Sequence, residues 1–151
     1  MDSYREIENL VYSYAELIDA GKLEGMAQLF SHARYLGPDG KVVATGAEEV
    51  LALQRRAVLI YAETGTPLTK HVTTNLIIEV NEATDSATAR SYFTVLQAAE
   101  GVSLQPIIAG RYEDGFERVK GKWRFSQRRV IPELFGDLAK HLKFDISGNR
   151  G

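Results

Sequence analysis

Residues 69–131 read TKHVTTNLIIEVNEATDSATARSYFTVLQAAEGVSLQPIIAGRYEDGFERVKGKWRFSQRRVI. The apolar positions in this stretch follow a period of two, which predicts strands at about 69–80, 86–98, 103–118 and 122–131. The links between them, Asn81 to Asp85, Ala99 to Gly101 and Lys120-Gly121, are short and rich in turn formers. Links of that length join antiparallel neighbours, so the stretch reads as a hairpin-connected meander. Several strands are apolar at both parities, notably Leu76, Ile77 and Ile78, and Ile107, Ile108 and Ala109. A strand apolar on both sides is usually covered on both sides. Helices can cover one face; another subunit is expected on the other.

Upstream the period changes to that of a helix. Ile7, Leu10, Val11, Tyr14, Leu17 and Ile18 define an apolar stripe over residues 2–20, with Asp2 and Ser3 as candidate N-caps and Gly21 as a stop. A short second helix is expected over 23–30. A β-hairpin should turn at Pro38-Asp39-Gly40, and a third helix should run from Glu48 to about Ala62. Downstream, Pro132 suggests the start of a last helix over about 133–142, and residues 144–151 suggest a frayed tail. Helices first and long antiparallel strands afterwards make an α+β pattern rather than an alternating βαβ one.

Composition narrows the function. The chain has 151 residues and net charge −2, with 44% hydrophobic and 25% charged residues. That predicts one globular domain over 1–151, large enough for a core with a pocket. The balance of charge argues against a nucleic-acid binder. No apolar run reaches the roughly 18 residues of a membrane span, and the polar N-terminus is no secretion signal, so a cytoplasmic protein is expected. With no cysteine there is no thiol chemistry and no thiolate zinc site. His32, His71 and His141 lie far apart without metal-ligand spacing, and no phosphate loop, dinucleotide fingerprint or nucleophile elbow occurs. No metal and no cofactor are expected.

Acid–base chemistry remains. Asp19 closes the first helix beside its apolar face, and His71 opens the first long strand. Tyr14 stands about one turn before Asp19, Tyr35 lies in the hairpin, Asn75 follows His71 on its strand, and Arg128 lies near the end of the meander. Each has a plainer reading alone: a turn-capping Asp, a partly exposed or satisfied strand His, a core Tyr, a solvated or ion-paired Arg, an Asn bonded to backbone. Together inside a cone of sheet and helices they would be a site. A carboxylate on one imidazole nitrogen fixes the tautomer and makes the other nitrogen a general base, while tyrosine or arginine holds an oxyanion.

The strings LIDAGKLEGMAQLF, GAEEV, KHVTTNLIIEV, SYFTVLQ and GRYEDGFERVKGKWRFSQRRV, in that order, resemble the SnoaL-like branch of the nuclear transport factor 2-like superfamily. The resemblance implies a cystatin-like, cone-shaped α+β barrel with helices in a curved, mostly antiparallel sheet. Within the branch the chain is similar to cofactor-free lyases: scytalone dehydratase, hexachlorocyclohexane dehydrochlorinase and bile-acid 7α-dehydratase. That likeness implies Asp19 and His71 as the catalytic pair. Arg128, five residues after Trp123, and Tyr14, five before Asp19, would be further catalytic groups, with Tyr35 and Asn75 on the substrate side. Scytalone dehydratase has a second pocket histidine on a later strand; here that region offers only Gln97 and Gln105. The resemblance implies a dehydratase-like lyase or isomerase acting on a small, mostly apolar molecule, cyclic or of polyketide or steroid type, in a homodimer or homotrimer. The other reading is a non-catalytic small-molecule-binding or assembly subunit, of the dioxygenase β-chain kind.

Overall fold

The computed structural model describes residues 1–144 and 146. Three helices, α1 (Ser3–Asp19), α2 (Leu23–Gln28) and α3 (Gly46–Ala57), pack against one sheet. Its strands are β1 (Arg34–Leu36), β2 (Val42–Thr45), β3 (Thr69–Asn81), β4 (Ser86–Ala99), β5 (Val102–Val119) and β6 (Lys122–Phe135), in the order β2-β1-β6-β5-β4-β3. All neighbours are antiparallel except β1 and β6. The sheet is open, with β2 and β3 at its edges, and the helices fill its concave side.

Local chemistry explains the elements. Asp2 caps α1 by accepting the Arg5 N–H at 2.9 Å, and Ile7, Val11, Tyr14 and Ile18 are buried as the stripe requires. On β4 the odd positions from Ala87 to Gln97 face inward and their neighbours outward. The core between helices and sheet holds Phe30 stacked on Phe125 at 4.9 Å, with Met26, Val50, Phe116 and Trp123 around it.

Three departures from the sequence expectation have local causes. First, no helix spans 133–142. β6 continues to Phe135, pairing Leu134 with Ala109 and Phe135 with Ile108. Pro132 is tolerated there because it sits opposite Gly110 at a register shift. Residues 138–142 then form a single hydrogen-bonded turn, with the N–H groups of His141 and Leu142 both on the Leu138 carbonyl. Second, α3 stops at Ala57 instead of Ala62. Leu59 donates to the His141 carbonyl and Lys143 to the Ala57 carbonyl, so the C-terminal segment supplies the partners a longer helix would have supplied. Third, the double-parity run in β3 is a β-bulge. Thr74 pairs with Tyr92 but Ile77 with Arg90, and Asn75 absorbs the extra residue with φ 53°. The inward parity therefore flips from His71 and Thr73 to Leu76 and Ile78. Of the expected tail, residues 145 and 147–151 lie outside the described residues; Phe144 and Ile146 line the cavity described below.

Under the sheet's inner face lies a buried ion pair. Arg128 donates through Nε and Nη2 to the two Asp114 oxygens at 2.8 and 2.9 Å, and neither side chain touches solvent. Removing one partner strands a charge in the core. Asp114→Ala should therefore cost about 3–5 kcal/mol in urea unfolding. Removing Arg90 from its exposed pair with Glu79 should cost less than about 1 kcal/mol. Equal losses would contradict this assignment.

Candidate active site

The site begins where α1 ends. Gly21 takes φ 74°, and the N–H groups of Gly21 and Lys22 close the helix on the Ile18 and Leu17 carbonyls. A Cβ on Gly21 would lie 1.8 Å from the Gly65 carbonyl oxygen, so only glycine lets the helix end approach the turn that leads into β3. That approach puts the Asp19 carboxylate on the first residues of β3. It accepts the Thr69 hydroxyl at 2.9 Å, the His71 backbone N–H at 2.7 Å and His71 Nδ1 at 2.6 Å. Burial alone would raise the carboxyl's pKa. The hydrogen bonds and charge of His71, with the Thr69 hydroxyl, outweigh it and hold the group below its ordinary value. Asp19 is therefore an anion, and in the neutral form of the imidazole Nδ1 carries the proton and the lone pair sits on Nε2, which has no partner among the described residues.

His71 is a wall of a cavity of about 450 Å³ between α1, α3, the inner sheet face and the C-terminal segment. The lining is mostly apolar, with Ile18, Phe93, Val95, Ile108 and Leu138 among its members, and polar atoms come from a few side chains. Tyr14 and Tyr35 share a 2.8 Å hydrogen bond between their hydroxyls. One bond uses one of two hydroxyl protons, so the pair keeps one to donate. Burial, foremost among the causes, pushes both phenols above their ordinary pKa, so both stay protonated.

Of the six residues singled out from sequence, three border this cavity: His71, Tyr14 and Tyr35. Asp19 stands behind the imidazole and borders a separate surface groove that His71 also touches. Arg128 does not reach the cavity. Its guanidinium lies 4.2 Å from the Tyr14 ring centre and 3.7 Å from that of Tyr112, behind both rings. Its charge is held by the buried Asp114, and it acts on a ligand only through the tyrosines it supports. Asn75 is exposed at the bulge and does not line the cavity; its positive φ, which Asn tolerates, is the role the fold gives it.

Two lining residues escaped the sequence reading. Tyr112, on β5, stacks on Phe93 at 4.6 Å, and its hydroxyl has no hydrogen bond among the described residues. Period two places it inward, but nothing separates it in sequence from an ordinary core tyrosine. His141 comes from the turn after β6, its ring centre 6.0 Å from that of His71. The expectation of a helix over 133–142 hid it.

Among the described residues no cluster of three or more His, Asp or Glu could hold a metal ion. No helix among them is long and apolar enough to cross a membrane. His141 makes stability depend on pH. Burial first, and the neighbouring His71 charge second, push its pKa down to about 4. The unfolded imidazole titrates near its ordinary value of about 6.5 and so takes up a proton that the folded one refuses. The unfolded state therefore gains as pH falls from about 6.5 to 4, costing up to about 3 kcal/mol. Asp19, with its lowered pKa, adds a loss only below the ordinary carboxylate value. Urea unfolding at pH 7.5 and 4.5 should show a smaller acid loss for His141→Gln than for wild type. An unchanged loss would contradict the burial of a neutral His141.

With this geometry in hand, likeness to known proteins is informative. A SnoaL-like domain model matches residues 1–129. LinA is 25% identical with a TM-score of 0.69, over 91% of this chain and 90% of its own. Rv3472 of Mycobacterium tuberculosis, a protein of unknown function solved as a point variant, is 26% identical with a TM-score of 0.68, over 86% of this chain and 71% of its own. An NTF2-like protein with a cystatin-like fold from Novosphingobium aromaticivorans is 22% identical with a TM-score of 0.68, over 91% and 85%. No curated protein matches the chain. The α+β fold expected from sequence is thus the cystatin-like, NTF2-like one, with an open sheet, and the chain belongs to the SnoaL-like domain family.

Proposed function

We propose that this chain is a cofactor-independent lyase or isomerase, dehydratase-like, that removes a proton from carbon in a small, mostly apolar substrate of cyclic, polyketide or steroid type. The observation that carries the reading is the relay of Asp19, His71 and cavity: carboxylate on Nδ1 at 2.6 Å, and Nε2 unpartnered on a residue that lines an apolar pocket. In the proposed step Nε2 takes a proton from the carbon next to a carbonyl; in enolisation the C–H electron pair forms a C=C bond to the carbonyl carbon while the C=O π pair moves onto oxygen. In an elimination the bond to the leaving group breaks with its electron pair going to that group. The free hydroxyl proton of the Tyr14–Tyr35 pair meets the charge that develops. Asp19 stabilises the imidazolium in the manner of other carboxylate–histidine pairs. Arg128 is a positioning residue that holds the Tyr14 and Tyr112 rings.

Proton abstraction can be read without knowing the substrate, as deuterium uptake at the acidic carbon of 2-tetralone in D2O. Wild type should accelerate uptake, and His71→Ala should lower the rate about 10²–10⁴-fold, the usual worth of a general base. Asp19→Asn should lose about 10²-fold or more, because an amide no longer enforces the tautomer. His71→Ala should keep its thermal midpoint within a few degrees. Near-wild-type exchange in His71→Ala would overturn the mechanism.

The second reading, a non-catalytic binding or assembly subunit, draws on the outer face of the sheet. Val72, Ile77, Tyr92 and Leu134 are exposed there. NTF2-like folds often oligomerise, and we propose that this face joins copies of the chain in a dimer or trimer. Sedimentation at micromolar concentration should give that mass, and Tyr92→Glu should lower it. A monomeric wild type would overturn the assembly.

A further inference from the structure

His141 is a buried polar side chain for which the proposed proton transfer has no use. It is 5% exposed, it lines the cavity, and its Nδ1 is sealed from solvent with no hydrogen-bond partner. Three interactions fix its backbone in place. Its N–H bonds the Leu138 carbonyl, its carbonyl accepts from Leu59, and the preceding Lys140 carbonyl accepts from both Tyr61 and Gln97. Gln97 is itself buried and also holds the Pro67 carbonyl at 3.1 Å. A ring held this firmly with an idle nitrogen is not a flexible surface group.

Its tautomer follows from the price of an unmet donor. A buried N–H without an acceptor is costly, so the proton does not sit on the sealed Nδ1. It sits on Nε2, which also has no partner among the described residues and is the nitrogen left to meet whatever occupies the cavity. The imidazole is neutral, as its lowered pKa requires. His141 is thus a donor with no acceptor, beside a His71 that is an acceptor with no donor. The ring centres are 6.0 Å apart, close enough for both to reach neighbouring atoms of one small ligand.

We infer that His141 is the substrate-recognition donor of this cavity, giving its Nε2–H to the carbonyl oxygen of a ketone whose adjacent carbon faces His71. A neutral imidazole suits that task, because it polarises a carbonyl without surrendering its proton to the base beside it. The substrate class is thereby a cyclic or polycyclic ketone rather than a hydrocarbon or a simple halide. The inference rests on the reading of the cavity as the substrate site, but it does not require His71 to be competent in catalysis.

The test pairs two compounds of nearly the same shape, 2-tetralone and its hydrocarbon tetralin, titrated by NMR into wild type, His141→Leu, His141→Gln and His71→Ala. Wild type should bind the ketone about tenfold more tightly than the hydrocarbon, the effect of satisfying one buried donor. His141→Leu should bring that preference below about twofold while tetralin affinity holds. His141→Gln, which returns an amide N–H near the Nε2 position, should recover most of it, and this variant carries the test if the leucine variant is unstable. In His71→Ala the preference should persist although deuterium uptake is lost. In wild type the ketone, and not tetralin, should move the His141 Nε2 proton resonance. A wild type without ketone preference, a full preference in His141→Leu, or failure of both compounds to bind at millimolar concentration overturns the inference. Failure of the general-base reading alone would appear separately, as unchanged deuterium uptake in His71→Ala with the ketone preference intact.

Discussion

The carboxylate of Asp19 ties the end of α1 to the start of β3, and the arrangement of the site depends on that knot. Its oxygens accept three donors, all from Thr69 and His71. Because one of the three is a backbone N–H, the same group that orients the imidazole also fixes the strand carrying it. Ring orientation, tautomer and strand position are therefore one constraint. Gly21 is its precondition, since any side chain there would drive the helix end away from Gly65. The carboxylate stays outside the cavity, so it orients the imidazole without offering a charge to the ligand.

Around this knot the interior divides its polar groups between support and chemistry. Arg128 and Asp114 are fully buried and paired through two hydrogen bonds, which leave Nη1 of the guanidinium without a partner among the described residues, while the guanidinium packs on the rings of Tyr14 and Tyr112. Such a pair adds little net stability over apolar packing, but it fixes geometry strongly. Groups that meet the cavity are also incompletely satisfied among the described residues: His71 Nε2, one proton of the Tyr14–Tyr35 pair, the Tyr112 hydroxyl and His141. Buried polar atoms without partners are scarce in folded proteins. Of the buried side-chain atoms without one among the described residues, Nδ1 of His141 belongs to a residue that lines the apolar cavity, whereas those of Ser91, Gln97 and Arg128 do not.

Residues 69–131 disclosed the meander because hairpin strands of alternating polarity write their pairing into a local pattern. The Asp19–His71 pair was legible for a related reason: a helix end and a strand start are both marked by local signals, Gly21 and Pro67 among them. What escaped depends on non-local partners. Asn75 looked like a polar residue following a candidate base on its strand, and only pairing with β4 reveals the bulge that claims it. Arg128 could be read as a site group or as an ion-paired side chain, and only its pairing with Asp114 decides between them. Pro132 resembled a helix start, yet β5 is long enough to hold β6 as far as Phe135. That one misreading concealed His141, because a residue on an expected surface helix gives no reason to look for it inside the cavity.

The central claim is that the Asp19 carboxylate holds His71 as a Nδ1–H tautomer with its lone pair on Nε2. It is tested most directly by the imidazole nitrogen resonances of His71 at pH 7.5 in a long-range proton–nitrogen NMR spectrum, assigned by loss in His71→Ala. The account predicts a protonated, hydrogen-bonded Nδ1 and an unprotonated Nε2, with the pattern collapsing toward a tautomer mixture in Asp19→Asn. A proton on Nε2 in the wild-type protein would leave His71 without the lone pair facing the cavity, and would contradict the account at its root.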